Sequence, residues 1–116
     1  MLFIKEIEDA IVKKEINGDV WRAYRQSKEY GNSKINFYRF SLNDDLPQII
    51  GALKAANVTE FTITDDGSGW IETLAFLQKS GFVVAGTVEV YSPRRIYKDS
   101  EVVGYELDPA VLMKAI

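Results

Sequence analysis

The spacing of apolar residues changes several times between residues 34 and 107, and this pattern constrains the fold more than any other feature. Four segments alternate between apolar and polar positions, as strands do: residues 34–40, 59–64, 82–91 and 101–107. Between the first three, apolar residues recur at helical spacing over residues 49–56 and 70–77. Residue types that commonly start helices precede both segments, and Gly81 is placed to end the second helix.

The N-terminal residues predict two more helices. Ile4, Ile7 and Ile11 have helical spacing, and Asp19 is placed to cap a second helix that ends at Gly31. Near the other end, Pro109 opens what reads as a last helical turn. We therefore predict one domain over residues 1–116, divided into three parts: an N-terminal helical arm (1–31), a βαβαββ core (33–108) and a short C-terminal helical turn (109–116).

This order, ααβαβαββ, predicts an α+β fold with a four-stranded mixed sheet. The strand–helix–strand steps favour parallel neighbours, and the last two strands favour an antiparallel hairpin. Phe61 and Ile63 alternate with Thr62 and Thr64, so one sheet face is apolar and the other half polar. We expect a two-layer sandwich with helices mainly on the apolar face. The other face is left to solvent, the N-terminal arm or a partner.

The amino-acid composition limits the kinds of reaction and metal site that the protein can have. The 116 residues include no cysteine and no histidine, which excludes disulfides, thiolate nucleophiles, Cys/His zinc sites and imidazole acid–base catalysis. We predict a non-enzymatic protein without a cofactor or bound metal. No segment has the length of a membrane helix and the start lacks the features of a signal peptide, so we expect a cytoplasmic location and no membrane partner.

The charge is unevenly distributed. The formal net charge is −3, yet residues 21–40 hold five cations and one anion, interleaved with aromatic residues. Such a segment can contact an acidic protein surface or single-stranded nucleic acid, or it can be core with a solvated rim. We expect a protein partner rather than nucleic acid. The candidate contacts here are Trp21, Arg22, Tyr24, Arg25, Lys28, Tyr38 and Arg39.

Two loops supply further candidates. The polar connection after the third strand contains Arg94 and Arg95, whose charges suit a partner's carboxylates. The loop between the second strand and the following helix contains Asp65, Asp66 and Ser68. These residues either cap the helix or form a small-ligand or Mg²⁺ site at the strand end.

Short ordered segments resemble a family of small proteins without an assigned activity. They are residues 21–25, 29–32, 45–50, 58–63 and 72–74, followed by Gly81 and Phe82. The family is associated with Gram-positive gut bacteria and their conjugative elements and phages. The resemblance implies a shared fold over residues 19–107 and a mobile-element setting. It implies no catalytic or binding residue.

These observations predict an accessory protein of a mobile element that binds a host or element protein, with inhibition of a nuclease-based defence system as one version. The expected surface combines the basic aromatic segment with the open sheet face around Tyr38, Thr62, Thr64 and Tyr91. A small-ligand or Mg²⁺-binding protein is the first alternative. A module that self-associates, for example as a homodimer, through its uncovered sheet face or last strand is the second.

Overall fold

A computed structural model describes residues 18–42 and 45–116. In these residues three helices accompany four strands, which confirms the α+β class. The helices are α1 (Gly18–Tyr30), α2 (Leu46–Ala55) and α3 (Trp70–Lys79); the strands are β1 (Asn36–Tyr38), β2 (Glu60–Thr64), β3 (Phe82–Lys98) and β4 (Glu101–Ala115). Short 3₁₀ turns cover Phe40–Leu42 and Gly67–Gly69. The helix predicted from Ile4, Ile7 and Ile11 lies outside the described residues.

The helix boundaries follow from local chemistry. The Asp45 carboxylate accepts a hydrogen bond from the Gln48 backbone N–H at 3.2 Å, and Pro47 occupies the first turn of α2. An acceptor before the helix and a residue without an N–H inside it both suit an N-terminus. Gly81 follows α3 with φ +96°, a conformation that glycine adopts without strain. The predicted end of this helix at Gly81 is confirmed.

The four strands form one mixed sheet in the order β1-β2-β4-β3. β1 and β2 are parallel and are joined through α2, whereas β4 is antiparallel to both β2 and β3. The mixed sheet and the terminal hairpin are therefore confirmed. The hairpin inserts its second strand into the sheet and leaves its first strand at the edge.

The predicted C-terminal helical turn at 109–116 is wrong, because β4 continues to Ala115. In this strand Val111 pairs with Ile63 and Met113 pairs with Phe61. The backbone N–H and C=O groups on the second edge of β2 need hydrogen-bond partners, and residues 111–114 provide them. This pairing outweighs the local preference for a helix start at Pro109. The connection predicted at 92–100 is likewise mostly strand, since β3 continues to Lys98.

The core lies between one sheet face and the helices. Phe61 is fully buried at the centre, and its ring centroid lies 5.1 Å from that of Phe82 and 5.6 Å from that of Phe37. All three helices contribute to the same cluster, with Val20, Ala23 and Tyr24 from α1, Ile49, Ile50 and Leu53 from α2, and Leu77 from α3. The two-layer arrangement is confirmed.

The opposite sheet face is less open than the sequence predicts. Thr62 and Thr64 are only 1% and 5% exposed, and both hydrogen-bond the Asn36 side chain. The sheet curls around this polar row until the edge strand β3 reaches the loop before β1. There the Asn32 side chain accepts from the Tyr91 N–H at 2.8 Å and donates to the Tyr91 carbonyl at 3.0 Å.

Beyond the sheet the hairpin continues as a two-stranded projection, the hairpin arm, formed by residues 91–98 and 101–108. Within the part of the chain that the structure describes, residues 101–108 pair with β3 alone, since β2 contacts β4 only at residues 111–114. Asp99 and Ser100 form the turn with φ of +53° and +67°. Two central residues with positive φ define the turn type that favours Asn-Gly.

We therefore expect the double substitution Asp99→Asn/Ser100→Gly to stabilise the arm by about 1 kcal/mol, because L-residues pay about 1–2 kcal/mol in the left-handed region. Slower hydrogen exchange at amides 95–105 measures the effect. Ser33→Gly is the control, since Ser33 is exposed and is not among the positive-φ positions. Unchanged exchange in the turn variant would contradict the turn assignment.

Candidate interaction surface on the hairpin arm

The hairpin arm has two chemically different faces. Residues paired across two strands share a face, and neighbours along a strand alternate. The pairs Tyr91–Leu107, Arg95–Tyr105 and Tyr97–Val102 therefore form one face, called here the tyrosine face. The other face, the charged face, carries Arg94, Lys98, Glu101, Glu106 and Asp108.

The acidic and basic side chains of the charged face pair with each other. The Arg94 guanidinium lies 3.2 Å from the Glu106 carboxylate and also pairs with Asp108. Lys98 is paired in register with Glu101, at the base of the turn. Arg94, predicted as a partner contact, is thus held in ion pairs within the arm. The predicted polar loop is a strand in which Arg94 and Arg95 point to opposite faces.

The tyrosine face exposes much of its apolar surface. Tyr91, Tyr97, Val102 and Leu107 are 41%, 59%, 45% and 50% exposed. The end of α1 extends this face, because the Tyr30 ring packs on the Tyr105 ring with centroids 4.7 Å apart. Four tyrosines thus lie along one surface. Isolated exposed apolar residues are ordinary, but a contiguous row is typical of a binding surface.

Arg95 is the one cation among the paired residues of the tyrosine face. The pKa of the Arg95 guanidinium is raised, and the largest cause is its hydrogen bond to Tyr97. The pKa of Tyr30 is raised above 10.0 by burial and then by the nearby Glu29 carboxylate. The face therefore presents phenol hydroxyl groups and one guanidinium, all of which can donate hydrogen bonds.

The outer edge of β3 is poorly suited to pairing with another strand. Pro93 lacks an N–H, and the pairing register shifts between Tyr91 and Arg95. The backbone groups of Tyr91 are already bonded to Asn32. Bulges and prolines are devices that prevent strand addition at an edge. The β3 side of the arm therefore offers side chains rather than backbone groups to a partner.

The basic aromatic segment is divided by the fold. Trp21 is 39% exposed on α1, and Arg25 lies over its ring with the guanidinium carbon 6.0 Å from the centroid. Arg22 is exposed and pairs with Asp19 at 3.4 Å. Tyr24 is only 3% exposed, so its predicted place on an exposed surface is wrong. It belongs to the core, where Val20 and Ala23 on the same helix also pack.

Three other predicted residues meet where the parallel strands end. The Arg39 Nε atom lies 3.3 Å from the Asp65 carboxylate, and its guanidinium carbon lies 5.1 Å from the Tyr38 ring centroid. A hydrogen bond from Tyr38, followed by one from Arg39, holds the pKa of Asp65 below 3.8. Tyr38 and Asp65 line a groove of about 400 Å³ that Arg94 and Asp108 close from the arm.

The two adjacent aspartates point to different partners. Asp66 is 5% exposed and accepts hydrogen bonds from the Ser41 backbone N–H at 2.7 Å and from the Thr73 hydroxyl at 2.5 Å. Ser68 is exposed. Neither residue caps α3 through its side chain, since Gly69 is the N-cap residue. Within residues 18–42 and 45–116 no group of three or more acidic residues is arranged to hold a metal ion.

Of the residues on this surface, Arg95 and Tyr91 were predicted from the sequence as contact residues, whereas Tyr30, Tyr97 and Tyr105 were not. The signal was present as two-residue spacing, with Arg95 and Tyr97 on β3 and Tyr105 and Leu107 on β4. It becomes visible only when residues 92–100 are recognised as strand. The polar side chains of this segment favour a loop, but its pairing with β4 makes it a β-strand.

Comparison with known proteins gives one family. A family model described as a domain of unknown function (DUF7698) matches residues 19–115. The match includes the whole sheet and nearly all of α1. Comparison with curated proteins and with solved structures gave no significant match. Across the described residues, no helix has the length and apolarity needed to span a membrane.

Proposed function

The chain belongs to the DUF7698 family, and we propose that it is a non-enzymatic accessory protein that binds another protein through the tyrosine face of its hairpin arm. The observation that carries the proposal is the concentration of exposed apolar side chains on a projecting element. On the tyrosine face, four large apolar residues are at least 41% exposed: Tyr91, Tyr97, Val102 and Leu107.

A two-stranded ribbon has no core of its own and is only marginally stable in water. Covering its apolar side chains with a partner stabilises both the ribbon and the complex. Tyrosine and arginine are also the residue types that most often dominate binding energy at protein interfaces.

A narrower version concerns the biological partner. In it, the chain is an accessory protein of a mobile element of Gram-positive bacteria, and its partner is a host protein such as a nuclease of a defence system. This version is supported by the family resemblance alone. The exposed residues Trp21, Arg22 and Arg25 on α1 are a second contact area in the original hypothesis, and the same experiment tests them.

We expect the double substitution Tyr97→Glu/Leu107→Glu to reduce recovery of the partner at least tenfold in a pull-down from host lysate. Each side chain is half exposed in the free protein, so the fold tolerates the change, while two charges would oppose an apolar contact. A loss of about 1.4 kcal/mol in binding already gives a tenfold effect. Quantitative mass spectrometry of the captured proteins provides the measurement.

The matched control is Ile71→Glu, because Ile71 is an apolar residue that is 80% exposed on α3 and distant in sequence from the arm. It should capture the same proteins as the unchanged chain. Arg22→Glu/Arg25→Glu separates the α1 surface from the arm. If the folded arm variant recovers every partner and only the α1 variant loses them, the arm is not the binding surface.

A further inference from the structure

We infer that the tyrosine face binds an extended, proline-rich segment of its partner. This inference rests on the proposed function and specifies the chemistry of the occupant. It follows from the size of the face, the blocked strand edge, and the kinds of hydrogen-bonding groups that the face presents.

The size of the face favours a peptide over a second folded copy. Eight residues on each strand give a length of about 26 Å, and two strands with their side chains are about 10 Å wide. One face therefore offers about 300 Å², to which Tyr30 adds. A stable interface between folded proteins takes about 800 Å² from each partner. A single extended peptide segment needs less contact area than a folded protein, and this face is large enough for it.

The blocked edge determines how such a segment can dock. Peptides commonly add a strand to a free sheet edge, where backbone hydrogen bonds provide the affinity. Pro93, the register shift beside it and the Asn32 contacts with Tyr91 oppose this mode on β3. Along β3 the occupant instead lies across the side chains, where ring faces and hydroxyl groups are the contacts.

Those side chains match a polyproline helix. Tyr30, Tyr97 and Tyr105 have hydroxyl groups that can donate, and Arg95 can only donate. A proline-rich helix presents backbone carbonyl acceptors and has almost no N–H donors left to satisfy. Its rings pack on aromatic faces, and its stiffness reduces the entropy lost on binding. Neighbouring side chains on a strand face are about 6.7 Å apart, which leaves room for a pyrrolidine ring between them.

Nucleic acid fits this face less well. Stacking bases also favour aromatic residues, but single-strand binding needs cations that follow the phosphates. Arg95 is the one cation among the paired residues of the face, and the Glu29 carboxylate lies close enough to interact with it. The net charge of the whole chain is −3. The charges therefore favour a peptide.

The test is a titration of the whole chain with acetylated decaproline, followed by the NMR signals of the tyrosine rings. We expect shifts for Tyr97 and Tyr105 and an affinity at least tenfold lower in Tyr97→Ala. Tyr97→Phe should retain most of the binding through its ring. Ile71→Ala is the control, because Ile71 is an apolar residue that is 80% exposed on α3 and lies outside the arm; its affinity should change less than twofold.

Three results would overturn the inference: no shift at millimolar decaproline, equal binding of a Gly-Ser decapeptide, or preferential binding of a ten-residue oligothymidine. Concentration-dependent broadening of the same tyrosine signals without any peptide would assign the face to a second copy instead. If decaproline fails while Tyr97→Glu/Leu107→Glu still loses partners in the pull-down, the proposed function stands and the peptide class is wrong. If both experiments fail, the arm is not an interaction surface.

Discussion

Phe61→Ala should lower the free energy of unfolding by about 3–5 kcal/mol, which is the usual cost of removing a buried aromatic side chain. Phe61 is fully buried, and its ring contacts Phe37, Phe40 and Phe82, with centroids 5.1–6.3 Å apart. The substitution leaves a cavity where strands from both halves of the sheet meet. Urea denaturation followed by tryptophan fluorescence measures the loss.

Ile71→Ala is the control, because an 80% exposed side chain contributes little to the core. Domains of this size have a total stability of about 5–15 kcal/mol, so Phe61→Ala can unfold the protein outright. Phe61→Leu then provides a milder variant, which should still lose more stability than Ile71→Ala. Equal stability of the Phe61 and Ile71 variants would show that the core is centred elsewhere.

Asp66→Ala should lower the free energy of unfolding by about 2–4 kcal/mol, although the residue is polar and lies in a loop. Its carboxylate accepts from the Ser41 N–H and the Thr73 hydroxyl, and both donors lose their partner when it is removed. An unsatisfied buried donor costs about 1–3 kcal/mol. Thermal unfolding measures the effect.

Asp65→Ala is the matched control, because it removes a carboxylate from the neighbouring, exposed position. Its ion pair with Arg39 is solvated, so we expect a small change. In a Thr73→Val background the cost of Asp66→Ala should fall, because one of the two stranded donors is already gone. If Asp65→Ala is as costly as Asp66→Ala, the structural role assigned to Asp66 is wrong.

The contrast between these two aspartates shows what could be predicted from the sequence. The loop was identified correctly as the junction between a strand end and a helix. Adjacent residues with the same side chain, however, carry no local signal of which one is buried. Asp66 is fixed by Ser41 and Thr73, which lie 25 and 7 residues away, whereas Asp65 turns outward with φ +50°. Only contacts between distant segments separate their roles.

The basic aromatic segment shows a related limit. Helical spacing places Trp21 and Tyr24 near one side of α1, and their rings stack with centroids 5.6 Å apart. One ring is nevertheless 39% exposed and the other 3%. Periodicity gives the direction in which a side chain points along a helix. How far the neighbouring elements cover it depends on packing.

The sequence by itself determined the type and order of the elements between residues 18 and 91, because apolar spacing, capping residues and glycine positions act within a few residues. It also determined the apolar sheet face, since strand alternation is local. The tertiary structure decided that β4 enters the sheet, that the hairpin extends beyond it, and that the tyrosines of the arm share one face with Tyr30. Those outcomes depend on which distant backbone groups satisfy each other, and no short stretch of sequence contains that information.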